Sequence, residues 1–218
     1  MKYGIIGYSG RMGQAIEELF SDAGHELVYQ KDENGEKEIE KPEVIIDFSL
    51  KEAFADTVRV IEEKEVPLVI GTTGLDESDF ADLEKLAEKV PVIQSFNFSI
   101  GINILSELIK KVNKYVDQDW DIEISETHHR FKKDKPSGTA IMLGDLIDRE
   151  DIEMHSKRLG SEFGEHEVDF ASTGEVMTLK HRAYSREAFT RGVLLSAEAI
   201  LDLDPGFYTF SQILSDET

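Results

Sequence analysis

The chain has 218 residues, no cysteine, and a formal charge of -21 from 24 basic and 45 acidic side chains. The missing thiols exclude disulfides, thiolate nucleophiles and cysteine-ligated metals, and so acidic a surface argues against nucleic acid or anionic membrane as main partner. Hydrophobic content of 40%, charge of 32%, no apolar targeting segment at the start and no apolar run near the ~18 residues of a membrane helix predict a globular cytoplasmic protein of one large or two small domains.

Residues 3–7 read as a short buried strand. It runs into Gly7-Tyr8-Ser9-Gly10-Arg11-Met12-Gly13, and apolar residues then recur at helical spacing through Met12, Ala15, Ile16, Leu19, Phe20 and Ala23 until Gly24 stops them. Strand, glycine turn and helix form a dinucleotide-binding pattern. The glycines let backbone amides approach a pyrophosphate, and the helix start adds partial positive charge. The spacing is GxxGxxG rather than GxGxxG. Residues 26–30 form the next predicted strand, and Asp32 falls where a carboxylate would accept hydrogen bonds from an adenosine ribose. Lys31 beside it could equally attract a 2'-phosphate, so NADH and NADPH both stay open. Residues 36–41 read as a charged connector.

The alternation then repeats. Strands are predicted at 44–48, 67–70 and 91–94, with helices through Phe54, Val58 and Ile61 and through Phe80, Leu83, Leu86 and Ala87. This predicts an α/β fold with a doubly wound parallel sheet, whose ligands sit at the carboxyl ends of the strands. Gly71-Thr72-Thr73 and Ser95-Phe96-Asn97-Phe98 lie at two such ends and are candidate cofactor contacts. Beyond Asn97 a helix through Ile104 to Val116 leads into an alternating strand at 120–126. A helix over 139–149, two or three further alternating segments (153–159, 166–172 and 175–183) and a last helix through Phe189 to Ile200 follow. These predict a second, smaller domain of helices and sheet, with a tail able to fold onto either domain.

The stretch Glu126-Thr127-His128-His129-Arg130-Phe131-Lys132-Lys133-Asp134-Lys135-Pro136-Ser137-Gly138-Thr139-Ala140 is a cationic island in an acidic chain. The period of two puts Glu126 and His128 on one face and His129 on the other. Adjacent histidines on a strand do not readily chelate one ion, and no metal is expected. The pair followed by Arg130 and Lys132 suits binding or proton transfer to a carboxylated substrate. Ser137 is a good N-cap, leaving the Gly138 and Thr139 amides free for an anion.

These residues resemble the 4-hydroxy-tetrahydrodipicolinate reductase family. The resemblance rests on Gly7 to Gly13 with Arg11-Met12, on Gly71-Thr72-Thr73-Gly74, on Asn97-Phe98-Ser99-Ile100-Gly101-Ile102-Asn103 and above all on HHxxKxDxPSGTA from His128. It implies a homotetramer with a Rossmann domain at 1–97 plus about 190–218 binding NADH or NADPH, and a substrate and tetramerisation domain at 98–189. It implies His128 as proton donor and Lys132 as second catalytic residue. His129, Gly138 and Thr139 would touch a small dicarboxylate, and Gly7, Tyr8, Ser9, Gly10, Arg11, Met12, Gly71, Thr72, Thr73, Ser95, Phe96, Asn97 and Phe98 the cofactor. Another two-domain amino-acid dehydrogenase, or an NAD(P) sensor without turnover, remain alternatives to the residue pattern alone.

Overall fold

The computed structural model describes residues 1–149 and 152–215. The chain divides into two compact units, Met1–Ser99 with Phe189–Thr218, and Ile100–Ala188. Residues 216–218, which the sequence assigned to the dinucleotide-binding domain, lie outside the described ones.

In the first unit β1 (Lys2–Ile6), β2 (Glu26–Asp32), β3 (Gly35–Glu38), β4 (Val44–Asp47), β5 (Leu68–Ile70), β6 (Pro91–Gln94) and β11 (Gly206–Thr209) form one sheet in the order β11-β6-β5-β4-β1-β2-β3. Every pairing is parallel except β2 with β3. Both faces are covered, which is why β4, β5 and β6 read as unbroken buried runs. Tyr3 points to α1 (Arg11–Asp22), where its ring meets Phe20 at 4.8 Å. Ile6 points the other way, into a core with Val60 and Ile61 of α2 (Phe54–Lys64) and Leu83 and Leu86 of α3 (Glu77–Ala87). Each such fully buried side chain stabilises the fold by ~1.5–3 kcal/mol. The result is the Rossmann-type sheet the alternation predicted.

The second unit is built on a four-stranded sheet in the order β10-β9-β7-β8: β7 (Asp121–His128), β8 (Glu153–Arg158), β9 (Gly164–Ala171) and β10 (Val176–Ala183). Its inner face packs Ile124, Val168 and Phe170 against Ile102, Leu105 and Ile109 of α4 (Ile100–Val112) and Ala140 and Leu143 of α5 (Gly138–Gly144). The outer face carries exposed side chains such as Glu123, His155 and Lys180. β7 and β8 are parallel and joined through α5, so their carboxyl ends share one edge.

Two expectations change. Residues 35–38 are a strand and not part of a connector: Asp32 accepts from the Asn34 amide at 2.7 Å, turning the chain so that β3 returns along β2. α5 stops at Gly144 although apolar residues continue, because the Leu146 and Ile147 amides bond three residues back, to Leu143 and Gly144. The tail, which the residue pattern alone could put on either domain and the resemblance puts on the dinucleotide-binding one, lies in the first unit, where β11 pairs with β6 and α7 (Phe210–Ser215) follows. α6 (Glu187–Ala199) leads into it, and Gly192 brings the α6 backbone so close to the Phe98 carbonyl that an added Cβ would lie 1.9 Å away.

Candidate active site

The alternation of β7 decides the second unit's site. Ile122, Ile124, Glu126 and His128 all face inward, so the strand that starts in the core ends by burying a carboxylate and an imidazole. A buried carboxylate needs a counter-ion. Arg158, across the sheet from His128 in register, supplies it through a fork, Nη1 to Oε2 and Nη2 to Oε1, each 2.8 Å. His128 Nδ1 donates to Glu126 Oε2 at 2.5 Å. Burial alone would raise the Glu126 pKa, but hydrogen bonds from Arg158, Ser156 and His128 bring it down to about 2. Burial also holds His128 below its ordinary value, against the opposing pull of Glu126.

Behind His128 stands His166 of β9, its ring edge-on at 5.1 Å. Its Nε2 lies 3.2 Å from the Ser137 hydroxyl, while the Ser137 oxygen accepts from the Ala140 amide and so caps α5. Burial pushes the His166 pKa down to about 3, which keeps the ring neutral. Its Nδ1 has no hydrogen-bond partner among the described residues.

The loop beyond β7 carries the cations. His129 lies past the end of the strand and is half-buried; Arg130, Phe131 and Lys133 are exposed. Lys132 Nζ meets the Asp134 carboxylate at 2.9 Å, and the Gly138 amide bears on the same carboxylate. The Gly138 amide is therefore already engaged by an anion of the chain itself and is not the free donor expected from the cap alone.

In the first unit, the carboxyl ends of β1, β2, β5 and β6 carry the expected cofactor residues. Gly7 adopts φ +82, and α1 follows an N-cap at Gly10 that offers no side-chain cap, with no acidic residue in its first turn. A Cβ on Gly13 would lie 2.4 Å from the Gly7 carbonyl oxygen and 2.6 Å from that of Tyr8, so the helix start sits directly on the turn. This cradle fits a pyrophosphate. Asp32 bonds to Ser9 of the turn, whereas Lys31 Nζ is directed to Glu36 at 3.5 Å and Asp56 at 3.9 Å. Thr72 is buried with its hydroxyl 3.3 Å from the Ser49 carbonyl oxygen, beside the fully buried Asp47. Thr73 and Phe96 are exposed. Ser95 and Asn97 bond to one another, and Asn97 Oδ1 accepts from the Ser99 amide. The Phe98 side chain differs from the expected cofactor contact: it is core, set between Phe48 at 5.7 Å and Phe210 at 5.2 Å, leaving only its backbone for a ligand.

Two family models account for nearly the whole chain: dihydrodipicolinate reductase, N-terminus, matches residues 1–98, and dihydrodipicolinate reductase, C-terminus, matches 101–214. The chain belongs to the dihydrodipicolinate reductase family. The 4-hydroxy-tetrahydrodipicolinate reductase of Thermosipho africanus is 49% identical over 218 residues, covering 99% of both chains. That of Zymomonas mobilis is 39% identical over 98% of this chain and 97% of its own. A dipicolinate-bound dihydrodipicolinate reductase from Paenisporosarcina sp. TG-14 has the same fold, with TM-score 0.80 at 24% identity over 96% of this chain and 97% of that one.

For this member of the dihydrodipicolinate reductase family, Arg158 and His166 are the site residues that sequence reasoning missed. Both sit on the inward positions of alternating segments, Met154-Ser156-Arg158 and Gly164-His166-Val168, and a charged residue on an apolar face was the available signal. Among the described residues one group could gather a metal, Glu123 with Glu153 and His155, but all three are exposed on the outer face of the small sheet.

Proposed function

We propose that this chain reduces 4-hydroxy-tetrahydrodipicolinate to tetrahydrodipicolinate with NADH or NADPH, a step of lysine and diaminopimelate synthesis. The observation that carries the proposal is the buried Glu126–His128 pair on the edge that also presents Lys132, in a chain belonging to this reductase family. When bound, the reduced nicotinamide supplies a hydride.

The chain's own residues do the rest. His128 Nδ1–H is held by Glu126, so Nε2 is the nitrogen left to carry the transferable proton. With its pKa below the ordinary value, the imidazole of the free protein is mostly neutral at neutral pH. A bound dianion favours the imidazolium and so loads the donor where it is needed. Lys132 holds a carboxylate or steadies developing charge, and His129, Gly138 and Thr139 orient the dicarboxylate; a dicarboxylate of this kind, dipicolinate, is bound in the Paenisporosarcina relative. Gly7 to Met12, Asp32, Gly71 to Thr73 and the backbone at Ser95 to Phe98 seat the cofactor. Asp32 receives the ribose, and the ion pairs of Lys31 favour NADH over a 2'-phosphate.

The same reading includes a cytoplasmic homotetramer; among the described residues no helix is long and apolar enough to cross a membrane. The test is loss of NADH or NADPH absorbance with substrate generated in place from pyruvate and aspartate semialdehyde. Lys132→Ala and His128→Gln should each lower turnover by roughly two to four orders of magnitude while NADH still binds. No oxidation of either cofactor by the wild type refutes the proposal, and full activity in both variants refutes the roles.

A further inference from the structure

Arg158 has five N–H donors, one on Nε and two on each Nη, and each has an acceptor. Nη1 and Nη2 take the two oxygens of Glu126 at 2.8 Å, and the second Nη1 donor takes the Lys157 carbonyl at 2.7 Å. Nε takes the Lys132 carbonyl at 3.2 Å, and the second Nη2 donor takes the carbonyl of Asp134. One buried guanidinium therefore joins the carboxylate behind His128 to the backbone on both sides of the loop residue Lys133. Simple neutralisation of Glu126 would need only the fork. The two loop carbonyls are unrelated to that task, yet they belong to the two residues whose side chains form the Lys132–Asp134 pair.

We infer that Arg158 is the positioning residue of the proposed reduction, fixing Glu126 against His128 Nδ1 and, with its remaining donors, fixing the loop that presents Lys132. The inference rests on the function proposed above. It makes the orientation of the proton donor and the seat of the ammonium depend on a single side chain that touches no reacting atom.

The charged and titratable groups facing His128 are Glu126 on its own strand, Arg158 on β8, His166 on β9 and Lys132 from the loop. Glu126 draws the His128 pKa up; Arg158 and Lys132 push it down. His166 stays neutral except in strong acid. The variants consequently separate. Glu126→Gln removes the upward pull and lowers the His128 midpoint. Arg158→Lys keeps the positive charge but loses the planar fork and the loop contacts. It should leave the His128 midpoint near that of wild type and raise KM for substrate by roughly tenfold or more, the scale of a sub-ångström misplacement.

The test is an NMR titration of the His128 imidazole in the free protein, assigned by its absence in His128→Gln, alongside kcat and KM for each variant. The double variant Glu126→Gln/Arg158→Met, which removes both buried charges together, is the folding control. It should remain folded while showing the raised KM. A lowered His128 midpoint in Glu126→Gln together with a raised KM in Arg158→Lys supports the inference. An unchanged midpoint in Glu126→Gln, or a wild-type KM in Arg158→Lys or in the double variant, overturns it. The titration needs no turnover, so its failure is distinct from failure of the wild type to oxidise NADH, which would refute the reduction itself.

Discussion

Gly164 tests the geometry around His128 with one methyl group. A Cβ at this position would lie 3.1 Å from His128 Nε2, 3.5 Å from its Cδ2 and 3.8 Å from His166 Cε1. Comfortable separations are about 3.5–4.0 Å, so the ring must yield by roughly 0.5 Å. It has little room on the other side, because Nδ1 is held to Glu126 at 2.5 Å and Glu126 is held by Arg158. A misplacement of about 1 Å can lower a rate about a hundredfold. Half of that predicts roughly a tenfold fall in kcat for Gly164→Ala, or about 1.4 kcal/mol. Stability should move little. The backbone at Gly164 is not in the left-handed region, so the ~0.5–1 kcal/mol that alanine gains over glycine in a strand offsets much of the ~1 kcal/mol of crowding. The assay is steady-state cofactor oxidation with thermal unfolding of the same preparation. Gly174→Ala, where an added Cβ meets nothing within 4 Å, is the control. A wild-type kcat in Gly164→Ala, or a loss that merely tracks the unfolded fraction, would refute the claim that His128 is fixed between Glu126 and β9.

Acid stability should reflect the groups with depressed pKa values, His166 and Glu126 prominent among them. For each, the unfolded chain binds more protons in the window between the two pKa values, so stability rises with pH there. The His166 contribution is present above its ordinary 6.5 and lost as pH falls toward about 3; that of Glu126 is present above 4.5 and lost toward about 2. Melting temperature should thus decline from about pH 6.5 downward, and His166→Gln should flatten the upper part of that decline, as calorimetry across pH would reveal. Gly13→Ala would push Cβ against the Gly7 and Tyr8 carbonyls, which cannot move aside as a flexible side chain would. It should destabilise by ~1–3 kcal/mol and weaken NADH binding, read by fluorescence titration; unchanged affinity would remove the turn from the cofactor site. Asp134→Asn takes away the in-chain partner of Lys132 and should lower KM for the dicarboxylate by up to about fivefold, the worth of an exposed ion pair; a raised KM would contradict that reasoning.

The large sheet was legible because burial on both faces leaves a strong trace: Val44-Ile45-Ile46 and Leu68-Val69-Ile70 are apolar throughout, and the helices between them repeat at 3.6 residues. β3 left none, since all four of its residues are exposed and an edge strand with no buried face has no alternation to read. His128 and Lys132 announced themselves by local clustering. Arg158 and His166 did not, because their relation to Glu126 depends on register between strands far apart in the chain, His128 opposite Arg158 and Glu126 opposite His166. Inward alternation could have put each on the right face. It could not say which residue stood beside which.

The Lys132–Asp134 pair also alters what substrate binding means at this site. A lysine waiting in water for an anion would act by capture, and any small carboxylate could neutralise it. Here the ammonium already has a carboxylate at 2.9 Å, so an arriving acid exchanges with one the chain provides. On that reading a ligand with a single carboxylate only substitutes like for like, and preference passes to molecules whose second carboxylate finds a further partner. Selectivity for a dianion would then come from the equilibrium of exchange, in a protein whose net charge of -21 would otherwise disfavour dianions most.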